Sequence, residues 1–172
     1  MADFEIAVLD APAASAAIDE LANVLVDCVA GGASVSFMSP FGREEAVAFF
    51  RAVIASVERG ETVLVAARVD GRIVGTVQLG LDTPPNQPHR ADVKKMLTHR
   101  SARRHGIGAA LLARAEAEAK LRGRTILVLD TASGDAERLY ARAGWQRVGV
   151  IPDYALWPDG GFCDTTFFWK RV

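Results

Sequence analysis

The sequence predicts a mixed α/β fold, a central sheet of about seven strands flanked by about four helices, and three observations predict it. Thr62 to Val69 and Arg72 to Leu81 are β-branched runs joined by Asp70-Gly71, a two-residue hairpin turn, so they form an antiparallel pair. Thr125 to Leu129 is a continuous apolar run, as expected of a strand buried on both faces. Between that run and the preceding strand, Ala91 to Thr98, stands a helix-period segment, and strand-helix-strand connectivity makes the two strands parallel neighbours. At 172 residues, the chain is long enough for one well-buried core and short for two, so residues 1–172 are expected to be a single domain.

Taken in order, Phe4 to Leu9 reads as an opening strand ended by Asp10-Ala11-Pro12. Ile18, Leu21, Val24, Leu25, Cys28 and Val29 recur at helical spacing until Gly31-Gly32, and Val47, Phe50, Val53, Ile54 and Val57 mark a second helix closed by Gly60. These two helices either cover a sheet edge or frame a substrate mouth. Asp82 to Arg90 holds three of the seven prolines and is expected to be a surface loop. In Ala91 to Thr98 the alternation slips at Lys94-Lys95, as a β-bulge makes it.

From Ile107 to Arg122, Ile107, Leu111, Leu112, Ala115 and Ala119 mark a buried helix face. Arg114 with Glu118 and Glu116 with Lys120 are spaced to pair on the exposed one. Asp135 to Ala143 is a short helix. Trp145 to Ile151 and Phe162 to Trp169 are the last strands, flanking a loop from Pro152 to Gly161.

Composition narrows the function classes. Half the residues are hydrophobic, a quarter are charged, and the net charge is −1. Basic residues concentrate between positions 90 and 124, which marks a local ligand site and not a nucleic-acid surface. Cys28 and Cys163 lie far apart, and His89, His99 and His105 lack metal-ligand spacing, so neither a disulfide framework nor a metal site is expected. No apolar run approaches the ~20 residues of a membrane span and no signal peptide opens the chain, so a cytoplasmic location is expected.

The stretch Thr98-His99-Arg100-Ser101-Ala102-Arg103-Arg104-His105-Gly106-Ile107-Gly108-Ala109-Ala110 joins a strand to a helix through glycine and cations. The first N–H groups of a helix have no intrahelical partner and sit at the positive end of its dipole, so they can bind phosphate oxygens. Gly106 and Gly108 allow close backbone approach, and Arg100, Arg103, Arg104 and His105 add charge. The loop is neither a P-loop nor the dinucleotide fingerprint.

What stands here, Arg103-x-x-Gly106-x-Gly108, resembles the [RQ]-x-x-G-x-[GA] pyrophosphate loop of the GNAT superfamily of N-acetyltransferases. A second segment, Leu127-Val128-Leu129-Asp130 through Ala136-Glu137-Arg138-Leu139-Tyr140-Ala141-Arg142-Ala143-Gly144-Trp145, resembles that family's strand followed by N-x-x-A-x-x-L-Y-x-x-x-G-[FW], with Ser133 in place of the Asn. Within the superfamily the resemblance is greatest to the tabtoxin resistance protein group, which acetylates a β-lactam amino-acid toxin. It is carried by Arg90 to Leu97, Ser101-Ala102-Arg103, Leu129-Asp130-Thr131, and Arg147 to Pro152 through Pro158-Asp159-Gly160.

The resemblance implies a GNAT-like sheet whose parallel pair splays at the cofactor site. It implies acetyl-CoA as cosubstrate, held by Met96, Thr98, Arg103, Arg104, His105, Gly106, Ile107, Gly108, Ala109, Ser133, Ala136 and Tyr140, with no metal. It also implies a homodimer through exposed sheet edges; the charge and hydropathy read above already leave neither nucleic acid nor membrane as an expected partner. The first 60 residues match less well, so the resemblance does not transfer an acceptor. Arg100 stands where the family usually has proline.

Moving an acetyl group from a thioester to an amine needs a neutral amine, a polarised carbonyl and a proton for the thiolate. Thr98 is the candidate to offer a backbone N–H to the carbonyl. Asp130, at the carboxyl end of the buried strand, is the candidate to take the amine's proton, with His99 and Asp92 as weaker alternatives. Tyr140, with a phenol of ordinary pKa near ~10, is the candidate acid for the thiolate. The expected activity is transfer of acetyl to a primary amine on a small-molecule or amino-acid-like acceptor by direct transfer. Peptide or protein acetylation, or a noncatalytic acyl-CoA-binding regulatory module, are the alternatives.

Overall fold

A computed structural model describes residues 3–172. One sheet of seven strands runs through it in the order β1-β2-β3-β4-β5-β7-β6. The strands are β1 (Glu5–Leu9), β2 (Thr62–Val69), β3 (Arg72–Gly80), β4 (Arg90–Thr98), β5 (Ile126–Thr131), β6 (Gln146–Leu156) and β7 (Phe162–Arg171). The helices are α1 (Ala11–Ala16), α2 (Ile18–Ala30), α3 (Arg43–Glu58), α4 (Ile107–Leu121) and α5 (Gly134–Arg142), with a single 3-10 turn at Arg100–Ala102. The β4–β5 pair is parallel and every other pairing is antiparallel.

Strand parity sorts the core into two layers. Val77 and Leu79, Ala91 and Val93, Leu127 and Leu129, and Phe168 turn to α4 and α5, while Leu64, Ala66, Ile73 and Leu97 turn to α1, α2 and α3. Each layer closes over a stripe of helix residues at 3.6 spacing, Ile107, Leu111, Leu112 and Ala115 on one side and Leu21, Leu25, Cys28 and Phe50 on the other.

The parallel pair is short. It matches only Arg90 with Ile126, Ala91 with Leu127 and Asp92 with Val128, beyond which the strands part. Arg124 pins this joint: its guanidinium donates to the carbonyls of Leu81 (3.1 Å), Pro88 (2.6 Å) and Arg90 (3.0 Å). The bulge falls where the paired lysines stand. Thr76 and Gln78 of β3 oppose Leu97 and Lys94, leaving an extra residue in β4, and Lys95 takes a φ of 52°.

Four expectations are corrected. Asp10-Ala11-Pro12 opens a separate helix, α1, because Asp10 caps it by accepting from the Ala13 N–H (2.8 Å) and Pro12 suits a first turn. Pro152 to Leu156 belongs to β6, not to a loop, since the pairing resumes with Ala155 opposite Cys163 after a slip past Ile151. Glu118 is buried, held by Arg114 and Arg122, instead of lying on the exposed face of α4. Glu116 does not take Lys120; it accepts from the Trp145 indole N–H (2.8 Å) and the Lys170 ammonium (2.7 Å), which ties α4 to β7.

Candidate active site

The parted strands define the site. β4 continues from Val93 to Thr98 along β3 while β5 stays with β7, so a gap opens between them at their carboxyl ends, where ligands settle in such sheets. The His99 N–H pairs back to the Val74 carbonyl (2.8 Å). Since alternate residues of a strand send their N–H groups to opposite sides, the Thr98 N–H points away from β3, to the gap.

On the α4 side stands the glycine-cation loop. Gly106 precedes the helix at φ 84°, a left-handed conformation that glycine adopts without strain. No side chain caps α4 and no acidic residue lies in its first turn, so the N–H groups of Ile107, Gly108 and Ala109 remain available to an anion. Arg104 and His105 are exposed, with no carboxylate partner among the described residues. Arg103 is exposed as well but braces the strand end, donating from Nε to the Thr98 carbonyl (3.1 Å). This set of free donors and cations fits a pyrophosphate.

Two members of the loop also meet protein neighbours. Arg100 leaves the cradle: its backbone N–H (2.7 Å) and Nε (2.9 Å) both donate to Asp27 on α2. Burial alone would raise the Asp27 pKa, but these donors and the nearby His99 hold its carboxyl below the usual range. Gly108 clears space for a protein neighbour, because a Cβ there would lie 3.3 Å from Leu139 Cδ2. A side chain there would require the end of Leu139 on α5 to give by a few tenths of an ångström.

The remaining candidates line the gap or lie away from it. Met96 packs half-buried on the α4 layer, and Ile107 is buried beneath the loop. Ser133 caps α5, its Oγ accepting from the Ala136 N–H (3.4 Å), so that hydroxyl is engaged locally. Asp130 is exposed at the end of β5, and the Thr165 hydroxyl donates to its Oδ2 (3.1 Å). Tyr140 is buried between Trp145 and Phe168, with ring centroids 5.9 and 5.7 Å away. Its phenol is pushed up to about 12, first by burial and then by the Asp130 charge. Asp92 is paired with Arg90, and His99 is engaged by Ser101 and lies 3.6 Å from Asp27, so neither is a free base.

The opposite side was not legible as a site. Residues 31–42 run from the β4 bulge to the β6–β7 end, where the Ser39 N–H donates to the Pro158 carbonyl (2.8 Å) and Ser34 Oγ to the Leu156 carbonyl (3.1 Å). The first helices cover a face of the sheet and not its edge, α2 and α3 packing on Leu64, Ala66, Ile73 and Leu97. Between β4 and β5 lies a cavity of about 320 Å³ lined by Asp92, Lys94, Val128, Asp130 and Phe167 among others. Lys95 reaches up from the bulge to Ser36 and Phe37. The doubled lysine that breaks the alternation was the one sequence signal of it.

Residues 29–145 match the acetyltransferase (GNAT) family. An uncharacterized N-acetyltransferase of Azospirillum brasilense is 28% identical over 155 residues, spanning 86% of this chain and 89% of that protein. The solved phosphinothricin acetyltransferase of Sinorhizobium meliloti, in complex with AcCoA, is similar with TM-score 0.81 at 18% identity, covering 100% of this chain and 89% of that one. The ribosomal-protein-alanine N-acetyltransferase of Brucella melitensis is similar with TM-score 0.79 at 20% identity, covering 98% and 99%. With its splayed parallel pair, uncapped α4 and matching segment, the chain belongs to the GNAT family of acetyltransferases.

Proposed function

We propose that the chain is an acetyl-CoA-dependent N-acetyltransferase, one unit from 1 to 172, that acylates the primary amine of a small-molecule or amino-acid-like acceptor by direct transfer. The observation that carries this reading is the gap between β4 and β5, with backbone donors and cations on one side and an exposed carboxylate, Asp130, beside the other. Ile107, Gly108 and Ala109 would hold the pyrophosphate of the cosubstrate through their N–H groups, with Arg103, Arg104 and His105 around it and Met96, Ser133 and Ala136 along its path. The bound thioester supplies the acetyl group.

The chain's own residues do the rest. The Thr98 N–H polarises the carbonyl. Asp130, oriented by Thr165, takes the proton from the acceptor's ammonium. Tyr140 holds its proton for the sulfur. A phenol near 12 is a weaker acid than a free one, so proton delivery is less balanced than the ordinary value suggests. Two effects restore the balance: burial raises the basicity of a thiolate in the same place, and Asp130 loses its charge once it has taken the amine's proton.

The tabtoxin resistance group is the part of the family where we look for the acceptor, on the strength of its shared segments. A homodimer through the β6 edge is supported by a run of exposed apolar side chains, Val148, Val150, Ile151, Tyr154, Leu156 and Phe162. A reducing, cytoplasmic setting agrees with Cys28 and Cys163 both being free and buried. The test is acetyl-CoA-dependent thiol release against a panel of amines, amino acids and peptides, with mass analysis of products. Acylated small amines are expected; coenzyme A binding without release on any acceptor would make the chain a regulatory module instead.

A further inference from the structure

Lys95 is held in a way that its structural role alone does not require. It occupies the extra position of the β4 bulge at φ 52°, a left-handed conformation that costs a side-chain-bearing residue roughly 1–2 kcal/mol. Strain of this kind persists where the surroundings impose it, and it gathers at ligand sites. The bulge aims the side chain out of the sheet, under residues 31–42, and not along the pleat.

What the ammonium meets there is incomplete. It donates to the Ser36 hydroxyl (2.8 Å) and lies 5.8 Å from the Phe37 ring centroid, and it forms no salt bridge among the described residues. A lysine has three donors, so two remain without a protein partner in a partly buried place. Burial lowers its pKa, while the Asp130 carboxylate counteracts that, so Asp130 is the acidic charge it feels across the gap. In the neighbouring cavity that Asp130 lines, Arg90 answers Asp92, and Lys94 lines it too, exposed, with its stem against Gly80. The mouth therefore presents, with the Asp130 carboxylate, two ammonium groups without a salt bridge among the described residues, the exposed Lys94 and the ring-sheltered, partly buried Lys95.

We propose that Lys95 is the specificity residue of the acceptor site, binding a carboxylate of an amino-acid-like acceptor while Asp130 receives its amine. This rests on the acetyltransferase reading and deepens it. A zwitterionic acceptor meets each charge with its opposite, and Ser36 and Phe37 hold the ammonium in place for it. A plain amine would leave Lys95 unanswered and be discriminated against for that reason.

The experiment compares kcat/KM for amino acids with that for the amines left when their carboxylate is removed, phenylalanine against phenethylamine among them. The parent, Lys95→Asn and Lys95→Arg are assayed. Asn tolerates the left-handed backbone and removes the charge; Arg keeps the charge. The parent is expected to favour the carboxylated member at least ~10-fold. Lys95→Asn is expected to lose that preference through a raised KM for the carboxylated member alone, and Lys95→Arg to recover much of it. Coenzyme A affinity, measured by calorimetry, is expected to stay the same and confirms that each variant is folded.

Turnover of both members without regard to the carboxylate, or an equal loss for both in Lys95→Asn, would overturn the proposal and leave the acetyltransferase reading standing. No thiol release by the parent with any amine would overturn both.

Discussion

The two sides of the β4–β5 gap are built in opposite ways. On the α4 side, the donors come from one contiguous stretch, 103–109, and are chiefly backbone N–H groups with no side-chain cap. On the other side, Ser36, Phe37, Lys95, Asp130 and Thr165 arrive from four separate segments and act through side chains. Backbone donors tolerate changes of sequence around them, so they suit a ligand that never changes. Side chains gathered from distant segments can be exchanged singly, so they suit a ligand that differs from one relative to the next.

That contrast can be broken by substitution, and the largest effect is expected between the two sides. Tyr140→Phe removes one oxygen and leaves the ring between Trp145 and Phe168. If the phenol gives its proton as the carbon–sulfur bond breaks, kcat and kcat/KM fall together by roughly 10² or more, with coenzyme A affinity unchanged. Single-turnover measurement at a chemistry-limited rate checks this, and parental turnover would make Tyr140 a core aromatic only.

Asp130→Asn is next. It keeps the shape that Thr165 holds and removes the carboxylate; if Asp130 takes the amine's proton, acetyl transfer at neutral pH drops by between about 10- and 100-fold and the acidic limb of the rate profile changes. An unaltered profile would reduce Asp130 to a partner of Thr165. Gly106→Ala acts on the α4 side alone. A Cβ there meets nothing within 4 Å, so its cost is conformational, from φ 84°. Coenzyme A affinity should fall about 10-fold, about 1.4 kcal/mol, with acceptor KM unmoved. Equal losses on both sides would mean that the loop shapes the whole gap.

The smallest functional effect belongs to Arg100→Ala, since that side chain answers Asp27 and not the cradle. Coenzyme A affinity should change by less than about 3-fold, about 0.7 kcal/mol. The melting temperature should fall by roughly 2–4 °C, because a half-exposed guanidinium limits the loss to about 1 kcal/mol. The Asp27 pKa is lowered in the fold, so its contribution is complete above the ordinary carboxylate value and fades as pH falls through the lowered one. The variant's stability should therefore be less sensitive to acid than the parent's, and denaturant midpoints across that range would decide.

The same contrast explains what the sequence made legible. The hairpin at Asp70-Gly71, the buried strand, its parallel neighbour and the 103–109 loop all depend on residues adjacent in the chain, whose periodicity and turn chemistry act locally. The bulge was visible too, as a slip in alternation at Lys94-Lys95, but not where it aimed Lys95, which depends on residues 31–42 folding over it. Arg100 and Glu116 misled for a similar reason. Their spacing matched a local role, while Asp27, Trp145 and Lys170 offered stronger partners from distant segments. Strand β6 looked shorter because Pro152 punctuates it, and only β7 shows that pairing resumes beyond.

The short joint between β4 and β5 makes the sheet a lever. Three residue pairs and the Arg124 guanidinium connect one half, β1 to β4, with the other, β5 to β7, through the sheet itself. From Asp92 to Thr98 the strand advances about 20 Å at ~3.3 Å per residue. A rotation of about 5° at the joint therefore carries the Thr98 N–H by nearly 2 Å, most of the reach of a hydrogen bond. Substitutions around Arg124 are therefore expected to act on the width of the mouth, and through it on catalysis, with a magnification that their distance from it conceals.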